Sequence, residues 1–199
     1  MRNTMGNLKI VIILGLLVGS TIAAPTTNLV NGHTYDFIAG LLTWQAARDA
    51  AASTYYNGQQ GYLCTITDQQ EQDFLYENFY SNGTGWLGGS DAAQEGHWYW
   101  MTGPEAGTMF WHGGSLAVGG YPVGYAHFRI NEPSNGGGGE DYLSMRGEEG
   151  YPWNDLAANH YYVAGYFVEY STDTTVPVPG AIALTGFGFL CVTWFRFRR

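Results

Sequence analysis

The chain has 199 residues, enough for one domain plus short targeting segments, and its 29 glycines and 16% aromatic residues argue against a long-helix or disordered protein. Between residues 25 and 179, only Arg48, Arg129 and Arg146 oppose all 17 acidic residues, which gives 3 − 17 = −14 formal charges. Such a surface repels nucleic acid, which we exclude as a partner, and attracts divalent cations.

The N-terminus is predicted to be a targeting segment. Arg2 and Lys9 precede an apolar run at 10–18, and Thr21 and Ala23 have the small-residue spacing of a cleavage site. This pattern is typical of a secretory signal peptide. We therefore expect residues 1–23 to direct export and residues 24–30 to form a linker.

Residues 31–170 are predicted to form one α+β domain, because no internal repeat or second boundary interrupts them. Thr43 is expected to cap the first helix, and the capping-box spacing at 67–71 to begin the second. In chain order the predicted elements are a strand at 31–37, a helix at 44–53, a strand at 61–66, a helix after 67–71, and strands at 86–89, 97–101, 142–145 and 161–170. Residues 103–139, rich in glycine, are predicted to be one long loop, and loops of this length are usually functional or disordered.

The C-terminus is predicted to be a second targeting segment, with a polar linker at 171–179 and a hydrophobic tail at 180–199. The apolar part, 181–195, would span roughly 22 Å as a helix, short of the ~30 Å hydrocarbon core. The motif at 176–179, Val-Pro-Val-Pro, and the Arg-rich end resemble the bacterial PEP-type C-terminal sorting signal, which usually carries Glu where Val178 stands. A plain C-terminal membrane anchor is the alternative, and either tail places the domain outside the cytoplasm.

The two cysteines are not expected to form a disulfide. Cys64 lies in an apolar strand-like run, and Cys191 lies within the hydrophobic tail. We predict that Cys64 is a small buried hydrophobic residue.

Oxygen-bearing side chains cluster in three places, with Asp91 and Glu95 in the first. The second is the stretch 131–141, and the third is Asn154 with Asp155. Ca2+ takes six to eight oxygen ligands, a number that three loops supply if the fold brings them together. A cis bond before Pro133 would direct the side chains on both sides of it to one centre.

The order and spacing of these motifs resemble the C-type lectin domain. The matching segments, over about residues 31–170, are Thr43-Trp44, Trp86-Leu87-Gly88-Gly89, Glu132-Pro133-Ser134, Glu140-Asp141 and Trp153-Asn154-Asp155. The resemblance implies a C-type lectin-like fold, in which two helices pack on short antiparallel sheets beside a long Ca-binding loop region.

The resemblance also implies two groups of Ca2+ ligands. The principal, sugar-binding group comprises Glu132, Ser134, Glu140, Asn154 and Asp155, and Ser134 stands where the family usually has Asn. The second comprises Asp91, Glu95, Asn135 and Asp141. In this family two sugar hydroxyls replace water on the ion and hydrogen-bond to its ligands. Tyr151, Trp153 or His160 are candidates to stack on a sugar face.

Two functions remain open at this point. The first is Ca-dependent binding of a glycan or exopolysaccharide at the cell surface or in an extracellular matrix. The second is a protein-binding or adhesion module of the same fold, in which Ca2+ only orders the loops or is absent. We do not expect an enzyme, because nothing places a substrate cleft between Glu132 and Glu140, and no metalloprotease or nucleophile-elbow motif occurs.

Overall fold

The computed structural model describes residues 24–150 and 152–172. The predicted signal peptide, Tyr151, most of the predicted linker at 171–179 and the hydrophobic tail all lie outside the described residues. Within the described ranges, no helix is long and apolar enough to cross a membrane.

Two helices form where the capping residues predict them. Helix α1 spans Trp44–Ala52, and the Thr43 side chain accepts a hydrogen bond from the Ala46 N–H at 3.2 Å. Helix α2 spans Gln69–Phe79, and Asp68 Oδ1 caps it by accepting from the Glu71 N–H at 2.9 Å. Glu71 Oε2 in turn accepts from the N–H of Thr67, one residue before the cap, at 2.8 Å.

The strands join into one extended sheet. They are β1 Thr26–Thr27, β2 Thr34–Ala39, β3 Tyr55–Tyr56, β4 Gln59–Leu63, β5 Gly85–Ser90, β6 His97–Trp100, β7 Met109–His112, β8 Tyr121–Pro122, β9 Tyr142–Met145, β10 Trp153–Leu156 and β11 Gly165–Tyr170. The hydrogen-bonded strand order is β1-β2-β11-β5-β6-β7-β8. Strand β4 also pairs with β11, and β9 pairs with both β5 and β10. Only the β11–β5 pair is parallel among the described pairs.

Several predicted boundaries were wrong. Strand β1 lies inside the predicted linker 24–30 and pairs with β2, so this segment belongs to the fold. The stretch 103–139 is not one loop, since it contains β7, β8 and a 3-10 helix at Leu116–Val118. The final strand begins at Gly165 rather than 161, and β2 lies three residues after the predicted start.

Two apolar clusters pack on the sheet, and alternation along the strands divides the residues between them. On β5, Leu87 belongs to one cluster and its neighbour Trp86 to the other. Trp153 lies in the first cluster, fully buried, with the rings of Trp100, Phe110 and Phe128 at 5.7–5.8 Å. Because Trp153 is fixed in this core, its packing positions the next two residues, Asn154 and Asp155.

Cys64 is fully buried, as predicted, within the same cluster as Trp153. The tryptophans of the described ranges are all buried as well, which agrees with a core role rather than a role as exposed ligand platforms.

Candidate functional site

The Asp155 carboxylate holds the loop that follows Glu132 against strand β10. Asp155 is 1% exposed, and its oxygens accept from the Ser134 N–H at 2.8 and 3.1 Å and from the Asn135 N–H at 2.6 Å. The Glu132–Pro133 peptide bond is cis, as the sequence suggested. Glu132, Ser134 and Asp155 are therefore brought together.

Two oxygens of the predicted principal site are buried and lack a hydrogen-bond donor, Glu132 Oε2 and Asn154 Oδ1. Leaving a buried acceptor unsatisfied costs about 1–3 kcal/mol, and more when the group is charged. The Asn154 amide donates instead to the Asp155 carbonyl at 2.9 Å. Oxygens of this kind, without a donor in the protein, are suited to a cation such as Ca2+.

Burial raises the pKa of Asp155 well above its ordinary value, and the nearby Glu132 carboxylate adds to the increase. The backbone N–H groups of Ser134 and Asn135 act in the opposite direction. Two carboxylates forced close together in a poorly solvated place are destabilised unless they bind a proton or a cation.

The predicted second group also lies together, on the neighbouring loops. Asp91 is 2% exposed, its Oδ2 accepts from the Gly96 N–H at 2.8 Å, and its Oδ1 is buried without a partner. Asn135 Nδ2 donates to Glu95 Oε2 at 2.6 Å, and the Asp91 N–H donates to the Asp141 carbonyl at 3.2 Å. Burial raises the pKa of Asp91 to about 7, with repulsion from Glu95 and Asp141 adding to it.

Glu140 is held by the glycine-rich turn. Its Oε2 accepts from the Gly136 N–H at 2.5 Å, and its own N–H donates to Asn135 Oδ1 at 3.2 Å. A Cβ on Gly136 would lie 2.5 Å from that same Glu140 oxygen, so a larger residue here would displace the Glu140 carboxylate. Asn135, in the left-handed region at φ 47°, thus links Glu140, Glu95 and Asp155.

Trp153 is buried in the core and not available to a ligand, which rules it out as a stacking residue. Tyr151 lies outside the described residues. His160 is half-buried, and its ring stacks on that of Tyr161 with centroids 5.1 Å apart and an interplanar angle of 15°.

A third group of possible metal ligands was missed from the sequence: His33, Glu71 and Glu169 have ligand atoms within 4.8 Å of one another. His33 Nδ1 lies 2.6 Å from Glu169 Oε1. The signal that could have revealed the cluster is an acidic residue, Glu169, in the otherwise apolar strand β11.

The oxygens of this missed cluster already have partners in the protein. The Tyr35 hydroxyl donates to Glu71 Oε1 at 2.5 Å, and the Thr65 N–H donates to Glu169 Oε2 at 3.1 Å. Burial, followed by repulsion from Glu169, raises the pKa of Glu71. The cluster therefore connects β2, α2 and β11 through its own hydrogen bonds, unlike the loop region with its unsatisfied oxygens.

No protein-family profile matches the chain. It is 37% identical over 145 residues to halomucin of Haloquadratum walsbyi, covering 73% of this chain and 2% of halomucin. It is 34% identical over 127 residues to the low affinity immunoglobulin epsilon Fc receptor of Mus musculus, covering 64% of this chain and 31% of the receptor. The chain thus spans only a small part of these relatives.

Solved structures match about 70% of the chain. The EPNH mutant of CEL-I, a C-type lectin of Cucumaria echinata, superposes with a TM-score of 0.54 and 26% identity, over 70% of this chain and 89% of that one. The carbohydrate-recognition domain of cow CD23 superposes with a TM-score of 0.53 and 26% identity, over 70% of this chain and 89% of that one. The chain contains a C-type lectin-like domain. The α+β fold predicted from the motifs is confirmed.

The C-type lectin-like domain is a binding module, and its relatives here are not enzymes. The same fold also matches herring type II antifreeze protein with a TM-score of 0.50 and 21% identity, a likeness of fold alone. Because one fold serves lectins and antifreeze proteins, the ligand of this C-type lectin-like domain has to be argued from its own site.

Proposed function

We propose that this domain binds Ca2+ in its loop region and recognises a glycan or exopolysaccharide through the bound ion. The observation that carries the proposal is the set of three buried oxygens without a donor: Asp91 Oδ1, Glu132 Oε2 and Asn154 Oδ1. All three belong to residues for which the family resemblance implies Ca2+ ligation. The described residues therefore fit the ion that this family carries.

The principal ion would be held by Glu132, Asn154 and Asp155, with Ser134 and Glu140 beside them. Bound Ca2+ supplies open coordination positions for two sugar hydroxyls. The chain's own side chains orient those hydroxyls, because Glu132 and Asp155 accept hydrogen bonds from them. Ser134 offers one hydroxyl where the family's Asn would offer an amide, and a hydroxyl reaches less far.

The second ion would be held by Asp91, Glu95, Asn135 and Asp141. Its role would be to neutralise this group, in which Glu95 and Asp141 help to raise the pKa of Asp91, and to order the loops that carry the principal site. Asn135 contacts Glu95 and accepts from Glu140, which couples the two groups.

Thermal unfolding tests the metal claim. Millimolar Ca2+ should raise the Tm of the protein and excess EDTA should reverse the rise, because a ligand that binds only the folded state stabilises it. Asp155→Asn should lose most of the shift, whereas Glu77→Gln, an exposed carboxylate on α2, should keep it. An unchanged Tm of the unsubstituted protein with Ca2+ would refute the metal claim.

A glycan array run with and without Ca2+ tests the sugar claim. Binding that requires Ca2+ and weakens in Glu132→Gln supports the lectin function. The alternative, a protein-binding or adhesion module, is favoured by Ser134 at the position of the sugar-contacting Asn. An array without signal in either condition, from a protein that Ca2+ does stabilise, would support that alternative.

We also propose that the domain is exported and displayed outside the cytoplasm. Residues 1–23 would serve as the signal peptide, 24–172 as the folded unit with the start of the linker, and 180–199 as the membrane anchor or sorting tail. Cell fractionation with and without residues 180–199 tests the last point. Release of the shortened protein into the medium is the expected result.

A further inference from the structure

A cavity of about 450 Å3 lies beside strand β10, and it shares one residue, Asn154, with the predicted principal ion site. It is formed by the start of β5, the end of β9 and the segment that leads into β11, where Thr84, Arg146 and Tyr162 line it. Its volume falls within the range of small-molecule sites, about 300–1,000 Å3. Asn154 also lines it, next to Asp155 of the loop region.

Tyr162, which lines the cavity, belongs to a cluster of exposed aromatic rings. Tyr161 and Tyr162 are 75% and 64% exposed, and their ring centroids lie 4.1 Å apart. The His160 ring packs on both, at 5.1 and 5.0 Å. Tyrosines supply large contact area at low entropic cost, and their faces suit the C–H face of a pyranose ring.

The cavity also carries a cation in an acidic domain. Arg146 Nε lies 3.4 Å from Glu148 Oε1, and Arg129 approaches the same oxygen at 3.8 Å. Two of the three basic residues between positions 25 and 179 thus share one carboxylate, which leaves a net charge of 2 − 1 = +1 for this trio. A guanidinium is shaped to bind a carboxylate through two parallel hydrogen bonds.

We propose that this cavity binds a sugar residue that carries a carboxylate, a uronate, with Arg146 pairing the acid group and Tyr162 stacking on the ring. The proposal rests on the proposed function in taking a glycan as the ligand. Because Asn154 and Asp155 are consecutive on β10, the cavity and the ion site adjoin one strand. Pairing of Arg146 with a carboxylate would make the preferred ligand an acidic polysaccharide rather than a neutral one.

The test compares two trisaccharides that differ only at C6, β-1,4-mannuronate and β-1,4-mannose. They are titrated into the protein with labelled tyrosine rings, in EDTA, and followed by NMR. The mannuronate trisaccharide should shift the Tyr161 and Tyr162 signals with at least tenfold tighter apparent binding than the mannose trisaccharide. Arg146→Gln should abolish this preference, and Arg48→Gln, which removes a cation on α1, should retain it.

Three results would overturn the proposal. The first is the absence of a Tyr161 or Tyr162 shift with either trisaccharide. The second is an equal loss in Arg48→Gln and Arg146→Gln, which would indicate general charge attraction. The third is an equal shift with acetate alone, which would indicate an anion site without sugar recognition. A separate titration of asparagine-labelled protein with Ca2+ and mannose, in which the Asn135 signals are observed, tests the ion site, so either site can fail alone.

Discussion

At the scale of single residues, unsatisfied oxygens separate the candidate site from other acidic groups. Glu71 and Glu169 are as deeply buried as Asp91 and Asp155, but their oxygens accept hydrogen bonds from Tyr35, Thr65 and Thr67. Asp91, Glu132 and Asn154 each keep one oxygen without a donor. The sequence pattern identified these three residues, whereas the completeness of each hydrogen-bond set is visible only in three dimensions.

Ser134 provides the first prediction at this scale. Ser134→Asn should restore the amide donor next to Glu132, and one additional hydrogen bond contributes about 0.5–1.5 kcal/mol. Sugar affinity in Ca2+ should therefore rise by about two- to tenfold. The measurement is titration calorimetry with a glycan that the array identifies, with Ser53→Asn, at the exposed end of α1, as the control outside the ligand groups. Weaker binding by Ser134→Asn would contradict this role.

At the scale of elements, strand β5 shows why the Trp-Leu-Gly-Gly segment carries its glycines. A Cβ on Gly88 would lie 2.1 Å from Thr102 Oγ1 and 2.7 Å from the Leu63 carbonyl, and one on Gly89 would lie 2.9 Å from Leu143 Cδ2. The strand is buried along its whole length between its neighbours. Close packing of backbone on both sides therefore requires residues without side chains.

The second prediction follows from that packing. Gly88→Ala should lower the free energy of unfolding by about 1–3 kcal/mol, because backbone at Leu63 has to move to admit a methyl group. Gly139→Ala, where nothing lies within 4 Å of the added Cβ, is the matched control and should be nearly neutral. Urea unfolding measures both. Equal effects would show that the contact at Gly88 does not limit packing.

The third prediction concerns the N-cap of α2. Asp68→Ala removes the acceptor of the Glu71 N–H and should cost about 1 kcal/mol of stability. Asp73→Ala on the same helix, where the carboxylate is exposed and accepts only from Gln69 in the described contacts, should cost less. Urea unfolding of both variants provides the comparison, and a larger loss in Asp73→Ala would contradict the assignment of the cap.

At the scale of the whole molecule, several carboxylates of this acidic domain are buried in the folded state. The free energy of unfolding is therefore expected to depend on pH and on Ca2+. Burial raises the pKa of Asp91 to about 7, and burial also raises the pKa values of Asp155 and Glu71. The folded state therefore holds protons that the unfolded chain has lost above about pH 4. By linkage, this contribution to stability is complete at acid pH and lost as pH rises through about 7.

The fourth prediction is that, in EDTA, the free energy of unfolding falls between pH 5 and pH 8. Saturating Ca2+ should remove the part of the fall that Asp91 and Asp155 cause, because the ion keeps those carboxylates ionised. Asp91→Asn should flatten the profile in EDTA, and Glu77→Gln should leave it unchanged. Urea unfolding across this pH range is the measurement. Stability that rises from pH 5 to pH 8 in EDTA would contradict the raised pKa of Asp91.

The sequence by itself determined the order of the two helices, their start near Thr43 and Asp68, and the residues of the loop region, because capping and motif spacing are local properties. Only the tertiary structure revealed β1, β3, β7, β8 and β10, since short strands are defined by their partners rather than by their own alternation. The His33–Glu71–Glu169 cluster and the Arg146–Tyr162 cavity likewise join residues far apart in the chain. Which carboxylates lack a donor depends on every neighbour in space, and this is why packing, and not spacing, distinguished the candidate ion site from the rest of an acidic surface.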